Sequence, residues 1–117
     1  LVFDPDSLDP WLEQLDREGL LDKVFILAGI CPLKSLRLAR YLNDNIPGVN
    51  VPEQVMKRLT DAGDRFTEES IAITVENVKK LREKKGVNGV HMMPLGWEEA
   101  IARVIDRAGL TPGSIAQ

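Results

Sequence analysis

The sequence has 117 residues, 44% hydrophobic and 28% charged, the size and balance of one globular domain. Its 15 basic and 18 acidic residues leave a net charge of −3, so no basic surplus draws the chain to a nucleic acid or an anionic membrane, and neither is expected as a partner. A single cysteine rules out an internal disulfide, and no apolar run has the length of a membrane span or signal peptide, so the expected location is a reducing cytoplasm.

The chain opens on Leu1 rather than methionine, which reads either as a piece of a longer protein or as a processed or trimmed N-terminus. Leu1-Val2-Phe3 is expected to be the end of a strand and Asp4-Pro5-Asp6 the turn after it. Asp6 or Ser7 then caps a helix in which Asp9 faces the positive first turn and Pro10 is tolerated. Leu8, Trp11, Leu12 and Leu15 fall at helical spacing and are expected to face a core, with Gly19 as the stop. Trp11 reads as core rather than as an aromatic binding platform.

Val24-Phe25-Ile26-Leu27-Ala28 is a continuous apolar run, too short for a membrane and expected to be a strand buried on both faces. Gly29 to Pro32 ends it, because proline has no N–H for a sheet ladder, and Lys34-Ser35 opens a helix with Leu38, Ala39 and Leu42 on one face. A second helix starts at Val51-Pro52 and buries Val55, Met56, Leu59 and Ala62. Thr67 is expected to cap a third, with Glu68 and Glu69 in its first turn and Ile71, Val75, Val78 and Leu81 along one side. The Lys79, Lys80, Arg82, Lys84 and Lys85 cluster at its end reads as cations favoured by the helix dipole, with phosphate binding as the alternative. Val87 to Met93 makes the next strand, stopped by Pro94. A last amphipathic helix follows, with Ala100, Ile101, Val104, Ile105 and Ala108 inward and Gly109 at its end. Residues 111–117 are expected to be a flexible tail.

Strands alternating with helices call for a parallel sheet with right-handed crossovers, and in such folds ligands collect where strands give way to helices. A complete barrel of this type takes roughly 200 to 400 residues, so the chain reads as the closing part of a barrel or as a very small open sheet. The ligand edge would carry Asp4, Cys31 to Ser35 and Met92 to Trp97. Cys31 lacks a placed base and acid, and reads as an unactivated buried thiol. His91, inside a strand, reads as a hydrogen-bonded core or pocket-lining group. Met92 and Met93 either pack on a flat ring or fill gaps in the core. Trp97 either meets a ligand or staples a helix start. No CxxC, HExxH, GxGxxG or GxxxxGK motif is present, so neither a metal site nor a phosphate loop is expected.

Two stretches together, VFILAGICPLKSLRLARYL and KGVNGVHMMPLGWEEAIARVIDRAGL, resemble the last two strand-helix units of the methylenetetrahydrofolate reductases. In that family a strand ending Pro-Gly-Ile-Leu-Pro leads into a helix, and the final strand runs Gly-Val-x-x-x-His-Phe-Tyr-Thr-Leu-Asn after a long helical insertion. Val51-Pro52-Glu53, the region of Leu59, Asp61, Ala62 and Gly63, and the opening Leu1-Val2-Phe3-Asp4 are similar to the family's corresponding segments. The resemblance implies an α/β fold: the last three strand-helix units of an eight-stranded (β/α)8 TIM barrel, with an extra helical insertion before the last strand, so that residues 1–117 are a partial barrel domain.

The resemblance further implies a flavin (FAD) enzyme of one-carbon metabolism and methionine biosynthesis. It would reduce 5,10-methylenetetrahydrofolate, or a related pterin, to the 5-methyl form, with NAD(P)H or another donor supplying electrons. Most flavin contacts and the family's acid groups lie on earlier strands, so no catalytic residue is expected here and the segment alone would be inactive. Carried over by position, Cys31, Pro32, Leu36, Met93 and Trp97 are expected on the substrate side, and Asp4, His91 and Met92 as pocket-lining or structural. Met93 stands for a tyrosine and Gly96-Trp97 for Asn-Arg, removing a phenol and a guanidinium from the folate-tail end. The Leu-Gly-Trp-Glu ending resembles reductases of the anaerobic or acetogenic type. A homo-oligomer or an accessory subunit is an expected assembly. The alternatives of another class are a non-catalytic α/β module that binds a pterin or a protein, and a fragment of a pterin-dependent methyltransferase barrel.

Overall fold

The computed structural model describes residues 1–109 and the backbone of Ile115–Ala116. Three parallel strands, β1 (Leu27–Ile30), β2 (Gly89–Met92) and β3 (Ile115–Ala116), lie in the order β1-β2-β3. The register pairs Leu27 with Gly89 and Ile30 with Met92, and Val90 with Ile115. Helices α2 (Leu36–Asn45), α3 (Glu53–Ala62) and α4 (Phe66–Glu83) fill the crossover from β1 to β2, while α5 (Glu98–Ala108) follows β2 and α1 (Asp9–Arg17) precedes β1. The expected α/β class, parallel sheet and helical insertion are thus observed. Of the expected tail, 111–114 and 117 lie outside the described residues, and Ile115–Ala116 adds a short strand that the small polar composition of this stretch does not signal.

The sheet is covered on one face. Ala28, Ile30 and Val90 point into a core built with Ile71, Val75, Val78 and Leu81 of α4 and Ala100, Val104 and Ala108 of α5. A second core, under α2 and α3, gathers Phe3, Cys31, Leu33, Ala39, Leu42, Val51, Leu59 and Ile73. α4 touches both, and its buried residues go further round the helix than one stripe. A helix hydrophobic on more than one face is buried on more than one face.

Five expectations are corrected. The run Val24–Ala28 is not a strand buried on both faces: β1 begins at Leu27, and Val24, Phe25 and Leu27 are exposed, Phe25 by 74%. Alternation sends Ile26, Ala28 and Ile30 to the helices and leaves Phe25 and Leu27 on a face that no described helix covers. Leu1–Phe3 is not a regular strand, although Val2 N–H donates to the Gly29 carbonyl at 2.8 Å and keeps the segment beside β1. Trp11 is half exposed at 50%, because the face of α1 that meets the protein runs through Leu8, Leu12 and Leu15 and Trp11 falls at its margin. Thr67 does not cap α4: Gly63–Arg65 forms a short 3-10 turn that leads straight into Phe66, and the turn before α1 is capped by Asp4, whose Oδ1 accepts from Asp6 N–H at 3.2 Å.

Part of the basic end of α4 is paired within the protein. Lys84 Nζ lies 3.0 Å from Asp6 and 2.7 Å from Asp9, Lys85 Nζ lies 3.6 Å from Asp16, and Arg82 donates to the Ala108 carbonyl at 3.0 Å. These pairs tie α1 and α5 to α4 and carry the structural reading of the cluster over the phosphate one.

Candidate functional site

Two loops meet at the carboxyl ends of β1 and β2: Cys31 to Ser35 and Met93 to Trp97. Their approach begins below, where Asn88 imitates a strand residue. Its N–H donates to the Ile26 carbonyl at 2.8 Å while its side-chain Oδ1 accepts from Ile26 N–H at 2.7 Å, so one residue engages both polar groups of Ile26 before the ladder starts. At the far end Met93 N–H donates to the Ile30 carbonyl at 2.8 Å, carrying the pairing past the last regular residue.

The first loop is anchored from behind. Ser70, 2% exposed on α4, donates its hydroxyl to the Leu33 carbonyl at 2.5 Å, and Thr74 donates to the Ser70 carbonyl at 2.9 Å. Ser35 then accepts from Leu38 N–H at 3.0 Å and starts α2. Ser70 and Thr74 were not singled out as site residues from sequence. Their signal is a polar pair four apart on a helix face that otherwise buries Ile71, Val75 and Val78.

The second loop is a left-handed turn. Leu95 has φ 44° and Gly96 φ 88°, and Trp97 N–H closes the turn on the Pro94 carbonyl at 3.0 Å. Leucine seldom adopts positive φ, and such strain is held where neighbouring structure enforces it. The Lys34 ammonium supplies one restraint, donating to the Gly96 carbonyl at 3.3 Å and linking the two loops.

Of the five residues expected on the substrate side, three are sealed inside. Cys31 is 3% exposed in the core beneath α2 and α3, Pro32 is fully buried, and Trp97, 6% exposed, belongs to the same core as Ala28, Ile30, Ala100 and Val104. Trp97 is therefore a core anchor at the start of α5. Burial pushes the Cys31 thiol up to about 11, which removes thiolate chemistry at neutral pH. The cavity beside Cys31 measures about 10 Å³, room for one water and not for a substrate ring.

Leu36 and Met93 stay half-buried near the edge. Met93 shares the uncovered sheet face with Leu27, Gly29 and His91: a Cβ on Gly29 would fall 2.9 Å from Met93 Cε, so the thioether already fills the space over the glycine. His91 is half-buried on that face and engaged in an interaction of its own. Met92 points the other way and packs against the α4–α5 core. Asp4 lies apart, capping its turn and bordering a hollow of about 150 Å³ whose far wall carries Arg58 and Glu76. Among the described residues no three His, Cys, Asp or Glu side chains cluster as a metal site, and no helix is long and apolar enough to cross a membrane.

This chain is 24% identical over 123 aligned residues to Methylenetetrahydrofolate reductase 1 of Schizosaccharomyces pombe (strain 972 / ATCC 24843), an alignment that covers 99% of the chain and 19% of that protein. It therefore spans about a fifth of the length of the curated relative it matches. No solved structure matches it. The family model described as Methylenetetrahydrofolate reductase matches residues 1–109, from the first turn through the end of α5, and the chain belongs to the methylenetetrahydrofolate reductase family.

Proposed function

We propose that the chain is the closing part of an eight-stranded flavin barrel that reduces 5,10-methylenetetrahydrofolate to its 5-methyl form, with NAD(P)H or another donor reloading the flavin. The observation that carries the reading is the family match over residues 1–109, together with a parallel sheet whose two edge loops bring Leu36 and Met93 to one end. The uncovered sheet face supports it, since Phe25 and Leu27 are exposed where a barrel would enclose them.

In this reading Leu36 and Met93 form the apolar wall for the pterin and its linker, and buried Cys31, Pro32 and Trp97 set the shape of that wall from behind. Met93 occupies the space over Gly29 on the uncovered sheet face, where a flat ring would otherwise lie. FAD and the acid groups then belong to the rest of the barrel, and this segment alone is inactive. What it contributes is orientation of the acceptor and exclusion of water.

The test is to express the whole reading frame that contains these residues. A yellow protein with bound flavin that converts methylenetetrahydrofolate to methyltetrahydrofolate is the expected result. A colourless, folded protein without that turnover would overturn the reading.

A further inference from the structure

Where α4 backs the loop after β1, three polar side chains interrupt an otherwise apolar surface. Ser70, Thr74 and Asn77 follow one another at helical spacing and so share one face of α4. All three border the cavity of about 10 Å³ beside Cys31, together with Phe3 of the opening segment and Leu33 of the loop. Ser70 and Thr74 are 2% and 5% exposed, so whatever their oxygens bond to lies inside the protein.

Hydrogens are unevenly shared around this cavity. A hydroxyl has one proton and two lone pairs. Ser70 commits its proton to the Leu33 carbonyl, and Thr74 commits its own to the Ser70 carbonyl. No described donor reaches either hydroxyl oxygen in return, so both keep their lone pairs and neither has a proton left. Asn77 has the opposite surplus: its amide nitrogen carries two hydrogens, and its contact with the Phe3 carbonyl at 3.4 Å uses one of them. Two acceptors and one donor around a space of this size match a water molecule, which has two protons to give and lone pairs to receive.

We propose that the cavity is a structural water site, in which one water donates to Ser70 Oγ and Thr74 Oγ1 and accepts from the Asn77 amide. The water joins α4 to both segments that the helix backs, the opening one through Asn77 and the loop after β1 through Ser70. It thereby helps to fix the loop that leads to Leu36. A buried water of this kind makes about three hydrogen bonds and is costly to remove. The site is independent of the substrate and of the cofactor.

The experiment is a high-resolution crystal structure of the full-length protein that contains this chain, paired with that of Thr74→Val, which keeps nearly the same shape and the bond between Ser70 and Leu33 but removes one acceptor. The parent is expected to show density for one water within hydrogen-bond distance of Ser70 Oγ, Thr74 Oγ1 and the Asn77 amide. Thr74→Val is expected to lose that density and to unfold at a urea midpoint lower by roughly 0.5–1.5 M. Thr74→Ser, which keeps the oxygen, is expected to retain the water. An unfilled cavity in the parent would overturn the assignment whatever the variants do, as would density that persists unchanged in Thr74→Val. A protein donor found closing on either hydroxyl oxygen in the full-length structure would overturn it as well.

Discussion

Replacing Ser70 with alanine tests how α4 holds the loop after β1. The hydroxyl is 2% exposed and donates to the Leu33 carbonyl at 2.5 Å, and Leu33 itself is 4% exposed, so bulk water does not reach the carbonyl when the donor is removed. Losing one partner of a buried pair leaves the other unsatisfied and costs about 1–3 kcal/mol, more than the net value of a typical hydrogen bond. Removing one oxygen leaves almost no new void, so the cavity contribution is small beside this. With a urea slope of about 1.5 kcal/mol/M, typical of small domains, the midpoint should fall by roughly 0.7–2 M. Buried Trp97 gives the fluorescence signal. Ser70→Thr, which keeps the donor, should recover part of the loss. A midpoint within about 0.2 M of the parent for Ser70→Ala would refute the argument, because a carbonyl that loses its donor without cost was either solvated or never engaged.

Gly86 has φ 95°, and a Cβ there would meet Leu21 Cδ1 at 2.4 Å, so Gly86→Ala combines an unfavourable backbone region with overpacking. A loss of about 2–4 kcal/mol in thermal or chemical unfolding is expected, whereas Gly96→Ala, with open space around it, should cost about half as much. Buried Cys31, with its thiol pushed up to about 11, should resist a disulfide reagent at pH 8 in the folded protein and react fully once it is unfolded. Fast labelling under native conditions would contradict the burial. Glu76 is held below its ordinary value of 4.5 chiefly by its hydrogen bond with Arg58, so its contribution is present above that value and is lost as pH falls through the lowered one. Stability measured from pH 7 downward should therefore drop below about pH 4.5, and Glu76→Gln should be less stable at pH 7 with a flatter acid limb.

Helix positions were well legible in the sequence. The apolar faces of α2 and α3 repeat every three to four residues, Ser35 caps where its side chain suggests, and Gly109 ends α5 in the left-handed conformation. These are local effects, decided within a turn or two of chain. The candidate site was legible only in outline. The two loops could be placed at one edge because strand-helix alternation implies parallel strands, but which side chains face that edge depends on what lies beneath them. Cys31, Pro32 and Trp97 stand next to strand ends in sequence, yet α2, α4 and α5 supply apolar surface for them, and burial there outweighs exposure at the rim.

By itself, then, the sequence determined the α/β alternation, the helical insertion, the lack of a net basic surplus and, through Gly29, Pro32 and the Val90–Leu95 run, a resemblance to the family. Tertiary structure alone decided the contacts between residues far apart in the chain. Asn88 engages Ile26 across 62 positions, Ser70 holds Leu33 across 37, and Lys34 meets Gly96 across 62. It also decided that the Val24–Ala28 run keeps one bare face. Periodicity records how a segment alternates, but which face is covered is set by the elements that pack on it, and in the described chain the helices lie on one side of the sheet.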